Sequence, residues 1–184
     1  MNLVADLETP ALVIDLEIME RNLRRAAEYT AAHGLRFRPH TKTHKIPALG
    51  RRQLELGAVG LTVAKVGEAE VMLGAEPSDL LLEYPTIGYR KLKRLAEVAR
   101  MARVTVAVDS SEAARELSDV AGESGVRFGV LAEIDVGLGR VGVSPGEELL
   151  HLVEFIARPN MPYWAESPIW SPVTLPVMFS SSKP

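Results

Sequence analysis

Short apolar runs alternate along this chain with longer stretches whose apolar residues recur every three or four positions. Ala11-Leu12-Val13-Ile14, after Thr9-Pro10, predicts a strand. From Leu16 to His33 apolar residues fall at 16, 19, 23, 26 and 27, the spacing of one helix face, with Asp15 as N-cap and Gly34 as terminator. Residues 35–38 predict a second strand, ended by Pro39. Ile46-Pro47 opens a helix to about Leu56, closed by Gly57. Strands are then predicted at 59–63, 79–83, 104–108 and 128–134. Between them lie helices at 65–73 (closed by Gly74), 89–101, and from Asp109 to Ser124 (closed by Gly125). Asp109 with Glu112 resembles a capping box. Ser144-Pro145-Gly146-Glu147 reads as cap, first-turn proline and third-position glutamate of a last helix reaching about Ala157. Arg90, Lys91, Lys93 and Arg94 form a basic outer face, read as solvated.

The unit strand–helix therefore repeats about six times, with the short connections of α/β proteins. Near-continuous apolar strands imply a parallel sheet covered on both faces. A barrel and an open doubly wound sheet both satisfy this pattern. From Pro159 the pattern stops. Six of the twelve prolines and both tryptophans, Trp164 and Trp170, fall after that point, with Glu166 and Lys183 the only charges. Residues 158–184 are expected to be an irregular Pro-rich tail, either packed on the body or a non-native, frameshifted end. A closed eight-unit barrel needs about 250 residues, so residues 1–157 are expected to form only part of one.

Composition narrows the function classes. The 47% hydrophobic and 24% charged residues are those of an ordinary globular protein. A net charge of −3 argues against general nucleic-acid or anionic-membrane binding. With no cysteine, disulfide and thiolate chemistry are excluded. The N-terminus lacks the basic and apolar regions of a signal peptide, and no run reaches the roughly 18–20 apolar residues of a membrane span. A cytoplasmic location is the resulting expectation.

Chemistry concentrates at Arg38-Pro39-His40-Thr41-Lys42-Thr43-His44-Lys45, where two of the four histidines lie at the end of a predicted strand. The C-terminal ends of strands are where α/β barrels place their reacting groups. A lysine becomes a nucleophile when desolvation or neighbouring cations favour its neutral form. Arg38, His40, His44 and Lys45 could supply such a field to Lys42, and continued extension would put His40, Lys42 and His44 on one side. A plain basic surface patch also fits the spacing. His40 and His44 have a zinc-like spacing, but the flanking prolines disfavour the helix that motif needs, and no metal ligand is assigned. Gly137-Leu138-Gly139-Arg140-Val141-Gly142 matches G-x-G-x-x-G, yet the next helix opens after the glycines rather than at them, which disfavours a dinucleotide. A tight loop presenting Arg140 to a phenolate or phosphate oxygen fits better, with Asp135 pairing a basic neighbour or solvating the loop.

Three ordered segments carry a resemblance: residues 9–15, residues 38–45, and Glu133-Ile134-Asp135-Val136-Gly137-Leu138-Gly139-Arg140-Val141-Gly142. Together they resemble the N-terminal part of the D-threonine aldolase and D-serine dehydratase-like proteins, fold-type III pyridoxal phosphate (PLP) enzymes grouped with alanine racemase. The resemblance spans about residues 7–157. It implies a truncated α/β fold, a partial (β/α) barrel of the PLP-binding TIM-barrel type, with residues 11–14 tending to join a second domain. Lys42 matches the catalytic lysine that bonds to the cofactor, and Arg140 the arginine that approaches its ring oxygen. The implied cofactor-binding residues are Lys42, His40 and Arg140.

The implied function is a PLP-dependent lyase step on a D-amino acid: retro-aldol cleavage of a β-hydroxy amino acid, or β-elimination from D-serine. Lys42, once released, would carry a proton. The resemblance makes a divalent metal possible in the full-length family, but its ligands have no match here, nor do the later strands and phosphate loops. An incomplete lyase is therefore expected, the alternatives being a non-catalytic PLP-binding protein or an inactive fragment. The expected partner is a small-molecule D-amino acid, with no nucleic acid or membrane; an unfinished sheet edge admits a homodimer.

Overall fold

Asp15 caps the first helix as expected, its carboxylate accepting the Ile18 N–H at 2.9 Å. The computed structural model describes residues 6–158 and 163–164. In chain order these form α1 (Leu16–Ala32), α2 (Pro47–Glu55), β1 (Leu61–Val63), α3 (Val66–Met72), a 3₁₀ turn (Leu73–Ala75), β2 (Asp79–Leu82) and α4 (Tyr89–Ala99). There follow β3 (Arg103–Val108), α5 (Ser111–Ser124), β4 (Phe128–Ala132), α6 (Glu147–Ile156) and β5 (Tyr163–Trp164). The remainder of the expected tail, residues 159–162 and 165–184, lies outside the described residues. No helix among the described residues is long and apolar enough to cross a membrane.

All strand pairs are parallel, and the order β1-β2-β3-β4-β5 follows the chain. A doubly wound sheet reverses its order at a switch point; this one does not. Successive helices pack side by side, α3 on α4, α4 on α5 and α5 on α6. That is barrel winding, and the fold is a partial α/β barrel. The helix-facing side carries Leu61, Val63, Leu80, Leu82, Val104, Val106 and Phe128, each at most 1% exposed, against Leu92, Leu95 and Leu117. Truncating one such leucine costs about 2–5 kcal/mol. On the other face the register lines up Thr62, Leu81, Thr105 and Gly129 in one row. A Cβ at Gly129 would stand 2.5 Å from the Thr105 hydroxyl, so the strands meet there through a missing side chain.

Several expectations are corrected. Residues 11–14 form no strand, and Leu12 is 95% exposed; an apolar run becomes a strand only with a neighbour to pair, and none lies beside it among the described residues. Residues 35–38 reduce to a parallel bridge between His40 and Thr62, supported by the Val59 N–H donating to Phe37 O at 2.9 Å. Gly74 does not end its helix: a 3₁₀ turn does, with Glu76 in the left-handed region at φ 56°. Ser110, not Asp109, caps α5. The last helix starts at Glu147, and Ser144 instead donates its N–H to Glu148. The basic face of α4 is partly used: Arg94 pairs with Glu70 on α3, and Lys93 reaches Ser124 on α5. No residue of α1 is buried; Arg52 on α2 grips its Glu20 with two nitrogens.

Candidate active site

The segment leading to Lys42 is fixed by polar contacts more than by packing. Arg38 crosses Gly60 to pair with Asp79 at 2.7 Å, and a side chain at Gly60 would collide with the guanidinium. Thr41, wholly buried, donates both its N–H (2.8 Å) and its hydroxyl (3.0 Å) to Thr62 O on β1. The chain then turns, with the Lys45 N–H returning to Thr41 O at 2.8 Å and Lys45 itself at φ 53°. The extension expected through residue 44 therefore ends at Thr41, because the turn uses the backbone groups a strand would have offered.

The turn separates the two histidines. His44 faces the start of α2: its Nδ1 accepts the Ile46 N–H at 3.0 Å, and burial pushes its imidazole below the ordinary value. His40 stays at the sheet. Its Nδ1 accepts the Lys42 N–H at 3.2 Å, which leaves Nε2 to carry the proton, and Nε2 contacts the Glu83 carboxylate. The Lys42 amine lies 3.9 Å from the same carboxylate, on a side chain 38% exposed. The cationic field expected around Lys42 is absent. Arg38 is paired with Asp79, Lys45 with Glu68 and His40 with Glu83, so the charge nearest Lys42 is an anion. Glu83 is held below the usual carboxylate range, first by His40, against partial burial, with Lys42 and Arg140 adding to the effect.

The glycine loop completes the cluster. Asp135 does not pair a basic residue; it accepts the N–H groups of Gly137 and Gly139 at 2.9–3.1 Å, which lower its pKa. Ile134 and Val143 form a bridge that closes the loop. Gly142, at φ 94°, is required there, since a Cβ would stand 2.5 Å from Asp135 N. The next helix begins at Glu147, so the loop does not deliver a helix N-terminus to a dinucleotide pyrophosphate. It delivers Arg140, whose guanidinium lies over the Tyr84 ring at 5.6 Å. Under it, Glu133 continues the inner face of β4. Burial, then Asp109 and Glu83, push its carboxyl up to about 7, with Arg140 opposing. Its Oε2 is buried and accepts no hydrogen bond among the described residues.

The structure thus gathers Lys42, His40 and Arg140 around Glu83 at the C-terminal ends of the strands and sends His44 elsewhere. Glu83, Glu133, Glu68 and Tyr84 were missed. The available signal was an acidic residue closing an apolar strand, at Asp79-Leu80-Leu81-Leu82-Glu83 and again at Glu133. No three His, Asp or Glu side chains among the described residues gather as metal ligands.

The family described as alanine racemase, N-terminal domain, matches residues 14–163. The chain belongs to that family. Pyridoxal phosphate is the cofactor of these fold-type III proteins. The D-threonine aldolase of Arthrobacter sp. is 38% identical over 151 residues, covering 82% of this chain and 40% of that protein. The crystal structure of D-threonine aldolase from Filomicrobium marinum superposes with a TM-score of 0.81 at 42% identity, over 84% of this chain and 42% of that one. The D-threo-3-hydroxyaspartate dehydratase from Delftia sp. HT23 gives 0.69 at 36% identity, over 82% of this chain and 39% of that one. The chain spans about two fifths of the length of these relatives. As an alanine racemase N-terminal domain, it has residues that fit the cofactor: an amine at the mouth of the strands, an arginine with no carboxylate ion pair among the described residues, and a carboxyl oxygen left without a donor.

Proposed function

We propose that this chain is the cofactor-bearing part of a PLP-dependent lyase acting on β-hydroxy D-amino acids. The observation that carries the reading is the Lys42 amine, held 3.9 Å from Glu83 at the C-terminal ends of parallel strands, with Arg140 delivered to the same place by its own loop. The named reactions of the aldolase and dehydratase relatives share this substrate class. PLP, when bound, supplies an electron sink for charge developing at the substrate α-carbon. Lys42 is the point of covalent attachment and, when freed, holds or moves the proton at that carbon. Arg140 would hold the ring oxygen of the cofactor. His40, fixed by Glu83 on one nitrogen and the Lys42 N–H on the other, keeps a single tautomer beside the amine. A homodimer is the proposed assembly, and a D-amino acid the proposed partner.

The test is borohydride reduction after PLP addition, followed by peptide mapping. Pyridoxyl on Lys42, and none on a Lys42→Ala protein, is the expected result. Label at Lys65 instead, or no label on a folded sample, refutes the assignment. Glycine and acetaldehyde from D-threonine, against pyruvate and ammonia from D-serine, then separate carbon–carbon cleavage from elimination.

A further inference from the structure

Lys42 is not the only amine in its turn. Lys45 stands three residues later, half exposed, and would meet the same aldehyde. The two amines are treated differently. The Lys45 ammonium lies 3.5 Å from Glu68 Oε1 on α3. Glu68 is only 9% exposed, and its other oxygen accepts the Ala64 N–H at 2.8 Å, in the loop between β1 and α3. A carboxylate so buried is costly unless paired, and Lys45 is the cation it is paired with. The pull toward Glu68 also accompanies the left-handed backbone of Lys45, a conformation non-glycine residues rarely hold without a compensating contact. Lys42, from the same turn, extends instead to Glu83, whose carboxylate is already engaged by His40.

We infer that Glu68 is a positioning residue that decides which lysine takes the cofactor. This rests on the PLP reading above. Attachment requires a neutral amine to add its lone pair to the aldehyde carbon, the carbonyl oxygen leaving as water. An amine held by Glu68 is turned toward α3 and away from Glu83. Lys42 is left as the amine of the turn that reaches Glu83, beside His40. Glu68 thereby holds the rear of the turn as Thr41 holds its front.

Glu68→Gln tests this. The amide oxygen still accepts the Ala64 N–H, while the charge that holds Lys45 is gone. In the cofactor-free protein, trace acetylation with acetic anhydride should raise the Lys45-to-Lys42 labelling ratio about fivefold over wild type; an unchanged ratio overturns the pairing. After PLP and borohydride, wild type should carry pyridoxyl on Lys42 and the variant on both lysines. Label confined to Lys42 in the variant overturns the role of Glu68 while leaving the cofactor reading intact. No label on folded wild type overturns both. A residue that merely supported the fold would lower total labelling without moving it between lysines. Should Glu68→Gln lose its far-UV circular dichroism, Glu68→Asp, which keeps the charge but shortens its reach, carries the same comparison.

Discussion

Replacing Glu133 with glutamine removes a titrating proton from a cluster that also holds Asp109, Glu83 and Arg140. Burial, Asp109 and Glu83 raise its carboxyl from 4.5 to about 7, and its Oε2 has no donor among the described residues. A carboxyl whose folded pKa is raised binds its proton more tightly folded than unfolded. Stability is therefore greatest below the unfolded value, and it is lost as pH rises from 4.5 through about 7. At about 1.4 kcal/mol per unit the full shift would be worth roughly 3 kcal/mol. The side chain is partly open to solvent, and screening reduces this to about 1–2 kcal/mol. Glu133→Gln keeps the shape and should be more stable than wild type by that amount at pH 8, and about equal to it at pH 4.5. Urea unfolding at pH 4.5, 6, 7 and 8, compared at matched m-values, measures the difference directly, and other titrating groups cancel between the two proteins. A variant no more stable than wild type at pH 8, or a difference that does not change with pH, would show that Glu133 is ionised at no cost and that the crowding argument is wrong.

Two further outcomes follow from other parts of the molecule. Glu20 is lowered to about 2, first by its contact with Arg52, so the tie between α1 and α2 should persist as pH falls and be lost through about 2; Glu20→Ala should release it at neutral pH. Hydrogen exchange reads this as faster exchange confined to Leu16–Ala32, and unchanged α1 protection in the variant would refute it. Gly129→Ala places a methyl 2.5 Å from the Thr105 hydroxyl and 3.2 Å from its Cβ, and should cost about 1–3 kcal/mol. Adding Thr105→Ala should return part of that loss, and strictly additive effects of the two changes would argue against the contact.

The helices and inner strands were legible because their signals are local. An aspartate before a 3.6-residue period gave α1, and β-branched or leucine runs between glycine stops gave β2 to β4. Periodicity did not choose between barrel and doubly wound sheet, since both obey it and differ only in which strands become neighbours; the three ordered motifs, by their resemblance, pointed to the barrel that the strand order shows. Residues 11–14 failed for a related reason. An apolar tetrapeptide records that a segment wants burial, not that a partner strand is present. Where caps were misread, at Asp109 and Ser144, the cap sits one or two residues later because those residues are engaged otherwise: the Asp109 carboxylate accepts the Gly142 N–H, and the Ser144 backbone N–H donates to Glu148.

At the site, the residues that the sequence groups around Lys42 also lie together in the fold, but with different electrostatics. A cluster of arginine, histidines and lysines looks like a positive field when read along the chain. Folded, every member except His44 meets a carboxylate from a different element: Asp79, Glu83 or Glu68. These acids lie 23 to 43 residues beyond their partners, Asp79 opening β2, Glu83 just after it and Glu68 in the first turn of α3, where single-segment reading has no means to join them. For the proposed attachment of the cofactor at Lys42, the consequence is a different rationale. Cations gathered around the amine would not activate it. It would be selected because the neighbouring cations, Lys45 above all, are claimed by carboxylates of their own.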